Sequence, residues 1–178
     1  MAQFWTNDGA AAGPGASVHW NTPPSLITRV KALGPIELDP CSNPHSMVGA
    51  YTELGAQYDG TKVSWKVSKG AVTYVNPPYG RGQIMPFAAK FYTEAEKNYD
   101  CHLVALVPAR VETQWFDLFV NTPGAVWCAI TGRLKFWQDG KPGKSAPFPS
   151  ALIYAGPDPD KFRSLFGQIG SVWGPLNP

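Results

Sequence analysis

Ala71-Val72-Thr73-Tyr74-Val75-Asn76-Pro77-Pro78-Tyr79-Gly80 changes character halfway along its length. Its first five residues are apolar, β-branched or aromatic, a run that predicts a buried strand. An asparagine and two prolines follow, and these cannot extend a sheet ladder. Proline holds φ at about −65° and lacks an N–H, so the chain leaves the strand as a stiff loop that presents carbonyl oxygens. Ligands of open α/β sheets bind beyond the carboxyl ends of strands, so this loop stands where chemistry is expected.

Downstream of that loop, strand and helix patterns alternate. Residues 84–98 form an amphipathic helix candidate with Pro86 in its first turn. Residues 102–107 are nearly all apolar, as in the buried centre of a parallel sheet. A helix over 113–120 and a strand over 125–130 follow. Residues 134–137 and 150–154 are expected to pair as an antiparallel hairpin across a basic, Pro/Gly-rich loop, and a last helix covers 160–166.

Upstream, Leu26, Ile27, Val30 and Leu33 recur at helical spacing, with Pro23 and Pro24 in the first turn and Asn21 or Thr22 as cap. Ile36 to Asp39 reads as a short strand ending in an acid, and residues 40–70 as irregular. The alternation predicts an α/β fold with a mostly parallel sheet and a C-terminal antiparallel hairpin. Residues 1–18, rich in Gly and Ala, are expected to be a flexible arm, and residues 19–178 a single domain.

Composition narrows the function classes. A hydrophobic share of 44% with 7 Trp argues against disorder throughout, and 18 Gly with 18 Pro imply many shaped loops. The net charge of +2 is small, but Lys62, Lys66 and Lys69 cluster, as do Arg133, Lys135, Lys141 and Lys144. Such basic stretches suit phosphates when a fold gathers them on one face. Cys41, Cys101 and Cys128 are odd in number and lack zinc-ligand spacing, so no metal is expected. No secretory signal and no run of membrane-spanning length stands out, which predicts a soluble protein in a reducing compartment.

The loop at 76–79 suits one kind of chemistry. An exocyclic ring amine is a poor nucleophile because its lone pair is delocalised. If Asn76 Oδ1 and the Pro77 carbonyl each accept one of its N–H bonds, the nitrogen is drawn toward tetrahedral geometry. Its lone pair then points at an electrophile. Positioning and electrostatics do the work, with no covalent enzyme intermediate. Tyr79 supplies an aromatic face for an extruded base, a contact typically worth roughly 1–3 kcal/mol.

Several segments together resemble the phage-type DNA N6-adenine methyltransferases. They are Trp20-Asn21-Thr22-Pro23, Ile36-Glu37-Leu38-Asp39-Pro40-Cys41-Ser42, Tyr58-Asp59-Gly60 with Trp65, Val75 to Gly80, Leu106 to Arg110, and Gly132 to Phe136, spanning about residues 20–155. The resemblance implies a reduced Rossmann-like methyltransferase fold and S-adenosylmethionine as methyl donor. It implies Asn76, Pro77, Pro78 and Tyr79 as the catalytic loop. Trp20, Thr22, Pro23, Asp39, Pro40, Cys41, Asp59 and Asn76 are the implied cofactor contacts.

The usual glycine-rich turn after the first cofactor strand is replaced by Ser42-Asn43-Pro44-His45-Ser46. The interval from Asp39 to Asn76 is too short for two full βα units. Two registers therefore stay open: Asp39 ends the first cofactor strand near the methionine ammonium, or it ends the second and accepts the ribose hydroxyls. Asp59 then lies near the cofactor's adenine amine or its ribose.

Arg110, Arg133, Lys135, Lys141 and Lys144 are the expected contacts to double-stranded DNA, with Glu112 as the competing ion-pair partner of Arg110. A phage enzyme of this kind would act in the cytoplasm of a bacterial host and protect DNA from restriction. The short chain leaves little for a recognition domain, so short or relaxed site specificity is expected. Two rival readings are methylation of a protein glutamine amide and a non-catalytic nucleic-acid-binding module of the same fold.

Overall fold

A computed structural model describes residues 21–97, 100–138 and 140–174. The expected arm at 1–18 and the candidate cofactor residue Trp20 lie outside the described residues. In chain order the elements are α1 (Pro24–Lys31), β1 (Ile36–Asp39), β2 (Thr52–Glu53), β3 (Val72–Val75), α2 (Ile84–Glu96), β4 (His102–Pro108), α3 (Gln114–Val120), β5 (Val126–Ile130), β6 (Lys135–Gln138), β7 (Lys141–Ser145), β8 (Ser150–Ala155), α4 (Pro159–Phe166) and β9 (Gly170–Trp173).

Seven strands form one sheet in the order β2-β1-β3-β4-β8-β5-β9. The pairs β2·β1, β1·β3 and β3·β4 are parallel, whereas β8 is antiparallel to both β4 and β5, and β9 is antiparallel to β5. Five strands therefore run one way and two, β8 and β9, run the other. Every residue of β3, β4 and β8 is buried, as their predominantly apolar character demands of central strands.

Side chains that alternate along β4 feed two cores. Val104 and Leu106 meet Leu26, Ile27 and Val30 of α1 and Phe162 and Phe166 of α4. Leu103, Ala105 and Val107 meet Phe87, Ala88 and Phe91 of α2 and Phe116 and Phe119 of α3. The period of two in the strand thus builds helix layers on both faces of the sheet.

Two expectations need correction. Residues 134–137 do not pair with 150–154. The hairpin partner of β6 is β7, while β8 enters the main sheet between β4 and β5. The reason is burial: Ser150 to Ala155 has no polar face for a solvent-exposed ribbon. Nor do Asn21 and Thr22 cap α1, whose N-cap is Pro23, without a side-chain bond. Thr22 Oγ1 instead lies 2.8 Å from the hydroxyl of buried Tyr74 on β3. Asn21 exchanges backbone hydrogen bonds with Trp137, of 2.7 and 2.8 Å, which ties the β6–β7 ribbon to the body.

Candidate active site at the carboxyl ends of β1 and β3

β1 and β3 are adjacent and parallel, so Asp39 and Asn76, at and just past their ends, emerge on the same edge of the sheet. Leu54 N donates to Asp39 O and Ser42 N to Leu54 O, both at 2.9 Å, which stitches the turn after β1 to the chain after β2. Asp39 thus ends the strand next to β3, from which the loop at 76–79 leaves. The second strand, β2, ends instead in Glu53. β1 therefore lies between β2 and β3 in the sheet.

Asp39 is only 3% exposed, and its carboxylate accepts a hydrogen bond from Cys41 N at 3.1 Å. Burial pushes its pKa up to about 7, the Cys41 N–H opposes this, and the charge of Glu53 adds to the rise. A buried acid poised near neutrality favours a cationic neighbour, because a positive charge restores the carboxylate. The Cys41 thiol is pushed well up by burial and then by the charge of Asp39, so it is no nucleophile. Thr22, Asp39, Cys41, Asn43 and Asn76 enclose a recess of about 10 Å³.

Beside that recess opens a cavity of about 590 Å³, lined among others by Pro40, Cys41, Tyr58, Asp59, Pro78 and Phe87. Its volume suits a small-molecule cofactor. Gly60 forms part of the wall and packs so closely on Pro40 that a Cβ there would stand 1.9 Å from the Pro40 carbonyl oxygen. Trp65 Nε1 donates to Gly60 O at 2.8 Å, and Thr73 Oγ1 donates to Trp65 O at 2.7 Å. These bonds anchor the cavity wall to β3.

On the other side of the loop lies a second cavity of about 320 Å³, with Tyr79, Arg81, Pro108, Arg110, Trp115 and Phe148 in its lining. Pro78 faces the first cavity and Tyr79 the second, so the loop is a partition between them. The Tyr79 ring meets Phe148 edge-on, with centroids 5.6 Å apart. Its hydroxyl donates to Asn76 Oδ1 at 2.6 Å, with Leu106 O at 3.1 Å as the second acceptor that shares its one proton. Besides the aromatic face expected from the sequence, the Tyr79 hydroxyl thus holds the Asn76 carboxamide.

The remaining candidates separate by environment. Asp59 is exposed, and its carboxyl is held below the usual range by the Thr61 hydroxyl and then by Lys62. Pro23 is buried at the start of α1. Arg110 is exposed, and no ion pair joins it to Glu112 among the described residues.

Arg133, Lys135, Lys141 and Lys144 are exposed on or next to the β6–β7 ribbon. The register there shifts, Lys135 facing Ser145 and Trp137 facing Pro142, so a bulge falls at Gly143-Lys144. Two residues escaped the sequence reading. Glu53 accepts from Ser42 Oγ, Ser46 Oγ and Ala50 N, and Phe148 walls the second cavity. An acid closing the short run Tyr51-Thr52-Glu53 was the available signal for the first.

The family model of DNA N-6-adenine-methyltransferase (Dam) matches residues 16–154. This span takes in the partition loop, both cavities and the β6–β7 ribbon. No curated protein matches the chain.

Proposed function

Because the chain belongs to the DNA N-6-adenine-methyltransferase (Dam) family, we propose that it methylates N6 of adenine in double-stranded DNA with S-adenosylmethionine as donor. The reading takes residues 19–178 as one reduced Rossmann-like methyltransferase domain. One observation carries it: the Asn76-Pro77-Pro78-Tyr79 loop stands between a cofactor-sized cavity and a smaller aromatic one.

The donor set fits a cofactor with a nucleoside at one end and cationic groups at the other. Tyr58 and Asp59 line the larger cavity; the ring suits a nucleoside, and the carboxylate, already bonded to Thr61 and Lys62, adds only a weak contact. Asp39 supplies negative charge for the cationic end, with Thr22 and Cys41 beside it. Glu53, which closes the second strand, is the acid best placed by topology for ribose hydroxyls. S-adenosylmethionine, when bound, supplies an electrophilic methyl group on a positively charged sulfur.

The target adenine leaves the duplex and enters the cavity beside Tyr79 and Phe148. Asn76 Oδ1 and the Pro77 carbonyl accept the two N–H bonds of the amine and aim its lone pair across the partition. The Tyr79 hydroxyl keeps the carboxamide from rotating. As the new N–C bond forms, the sulfur–methyl bond of the donor would break, its electron pair staying on sulfur as a neutral thioether, and the nitrogen would give up one proton to solvent. Arg133, Lys135, Lys141 and Lys144 hold the DNA backbone, with Arg110 closer to the target. In a phage-type setting the product protects DNA from restriction inside a bacterial host.

The test is transfer of a labelled methyl group to duplex DNA, followed by digestion to nucleosides. Label in N6-methyl-2′-deoxyadenosine is expected. Label in a cytosine product, or in added protein rather than DNA, contradicts the proposal.

A further inference from the structure

A flipped adenine leaves a gap in the base stack, and its former partner loses a neighbour. Unstacking and unpairing cost a few kcal/mol, and DNA-distorting proteins often offset this with an apolar side chain pushed into the stack. The rim of the cavity beside Tyr79 carries such a side chain. Pro108, Arg110 and Trp115 all line this cavity, so the turn between β4 and α3 borders its mouth. Within that turn Val111 is 67% exposed, one of four large exposed hydrophobic residues among those described.

The turn is braced rather than slack. Thr113 N and Thr113 Oγ1 both donate to Arg110 O, at 3.0 and 2.7 Å, and Arg110 N donates to Pro108 O at 2.9 Å. A valine held out on such a turn gains nothing for the fold. It follows a residue with an exposed cationic side chain on the same cavity, which complements the phosphates flanking a displaced nucleotide.

We propose that Val111 is the wedge that enters the duplex where the target adenine has left, with Arg110 gripping the adjacent backbone. The proposal rests on the base-flipping reading of this site and adds the residue that stabilises the opened duplex. Val111 touches the remaining stack, not the reacting atoms, so it governs access to the open state.

The experiment compares wild type with Val111→Gly on two substrates that share one mapped target adenine. One is a fully paired duplex; in the other the target lies opposite an abasic site, so little pairing opposes its exit. The wedge predicts that Val111→Gly lowers kcat/KM on the paired duplex by about tenfold and on the abasic duplex by less than about twofold. An equal loss on both substrates, or no loss on either, overturns it. Val111→Leu should keep activity on the paired duplex within about threefold, because it restores an apolar wedge. A wild type that methylates neither substrate overturns the underlying reading and the wedge with it.

Discussion

Asp39 and Asp59 are the same side chain in opposite circumstances: Asp39 lines the small recess beside Asn76, and Asp59 the larger cavity next to it. Asp39 ends β1, between β2 and β3, is buried, and has its pKa pushed up to about 7. Asp59 sits on an exposed turn and is held low by the Thr61 hydroxyl and Lys62. One acid is destabilised by its surroundings and is relieved by a bound cation. The other is already satisfied by its neighbours and has little to gain. Position in the fold, rather than residue type, separates a carboxyl raised by burial from one held low on an exposed turn.

Removing each acid exposes that difference most strongly. Asp39→Ala is expected to weaken S-adenosylmethionine binding on the order of tenfold to a hundredfold, as loss of a charged partner does. Asp59→Ala should stay within about threefold. Calorimetry on the two variants checks this, and equal losses would erase the contrast.

Acidity gives the next test. Asp39 is raised above its unfolded value, so its neutral form is favoured in the empty protein. Its effect on stability has the matching sign: the fold is disfavoured progressively as pH rises from about 4 through about 7, while the unfolded chain is already ionised. Affinity for a cationic cofactor has the opposite trend. It should rise about tenfold per pH unit below about 7 and level off above, and Asp39→Asn should flatten the rise. A wild-type profile already flat from pH 5 to 7 would remove Asp39 from the cationic end.

Tyr79→Phe should lower kcat by about threefold to tenfold with cofactor affinity unchanged, since the lost hydroxyl bond orients Asn76 rather than the cofactor. An unaltered kcat would leave the ring as the sole contribution of Tyr79. The smallest change per residue belongs to the ribbon. Lys135, Lys141 and Lys144 changed together to alanine should lower the slope of log affinity for DNA against log salt by about 0.9 per lost phosphate contact. Sequence preference should be unaltered, and an unchanged slope would make these lysines plain solvated surface.

Much of this fold could be read from residue order. The runs Val72–Val75 and His102–Pro108 are apolar enough to be only central strands, and α1 and α2 follow from their apolar stripes. The misplaced hairpin has a physical lesson. Ser150 to Ala155 is buried throughout and so belonged to the sheet centre, whereas Lys-Pro-Gly-Lys-Ser carries no strand propensity yet forms β7 because β6 offers it a ladder.

The two-residue β2 is exposed and was illegible, and Glu53 was overlooked with it. Within the site, the loop at 76–79 announced itself through its prolines. Neither the burial of Asp39 nor the bond from the Tyr79 hydroxyl to Leu106 O is local in origin. Both arise where β1, β3 and β4 converge.

The account stands or falls on Asn76, placed at the partition to receive an amine. The decisive measurement is single-turnover methyl transfer to duplex DNA by Asn76→Ala, made alongside calorimetric binding of S-adenosylmethionine. Loss of a preorganised polar contact predicts a rate lower by about 10²–10³, with cofactor affinity within about threefold of wild type. Transfer at more than about one tenth of the wild-type rate would show that the amine is held elsewhere and would contradict the proposed mechanism.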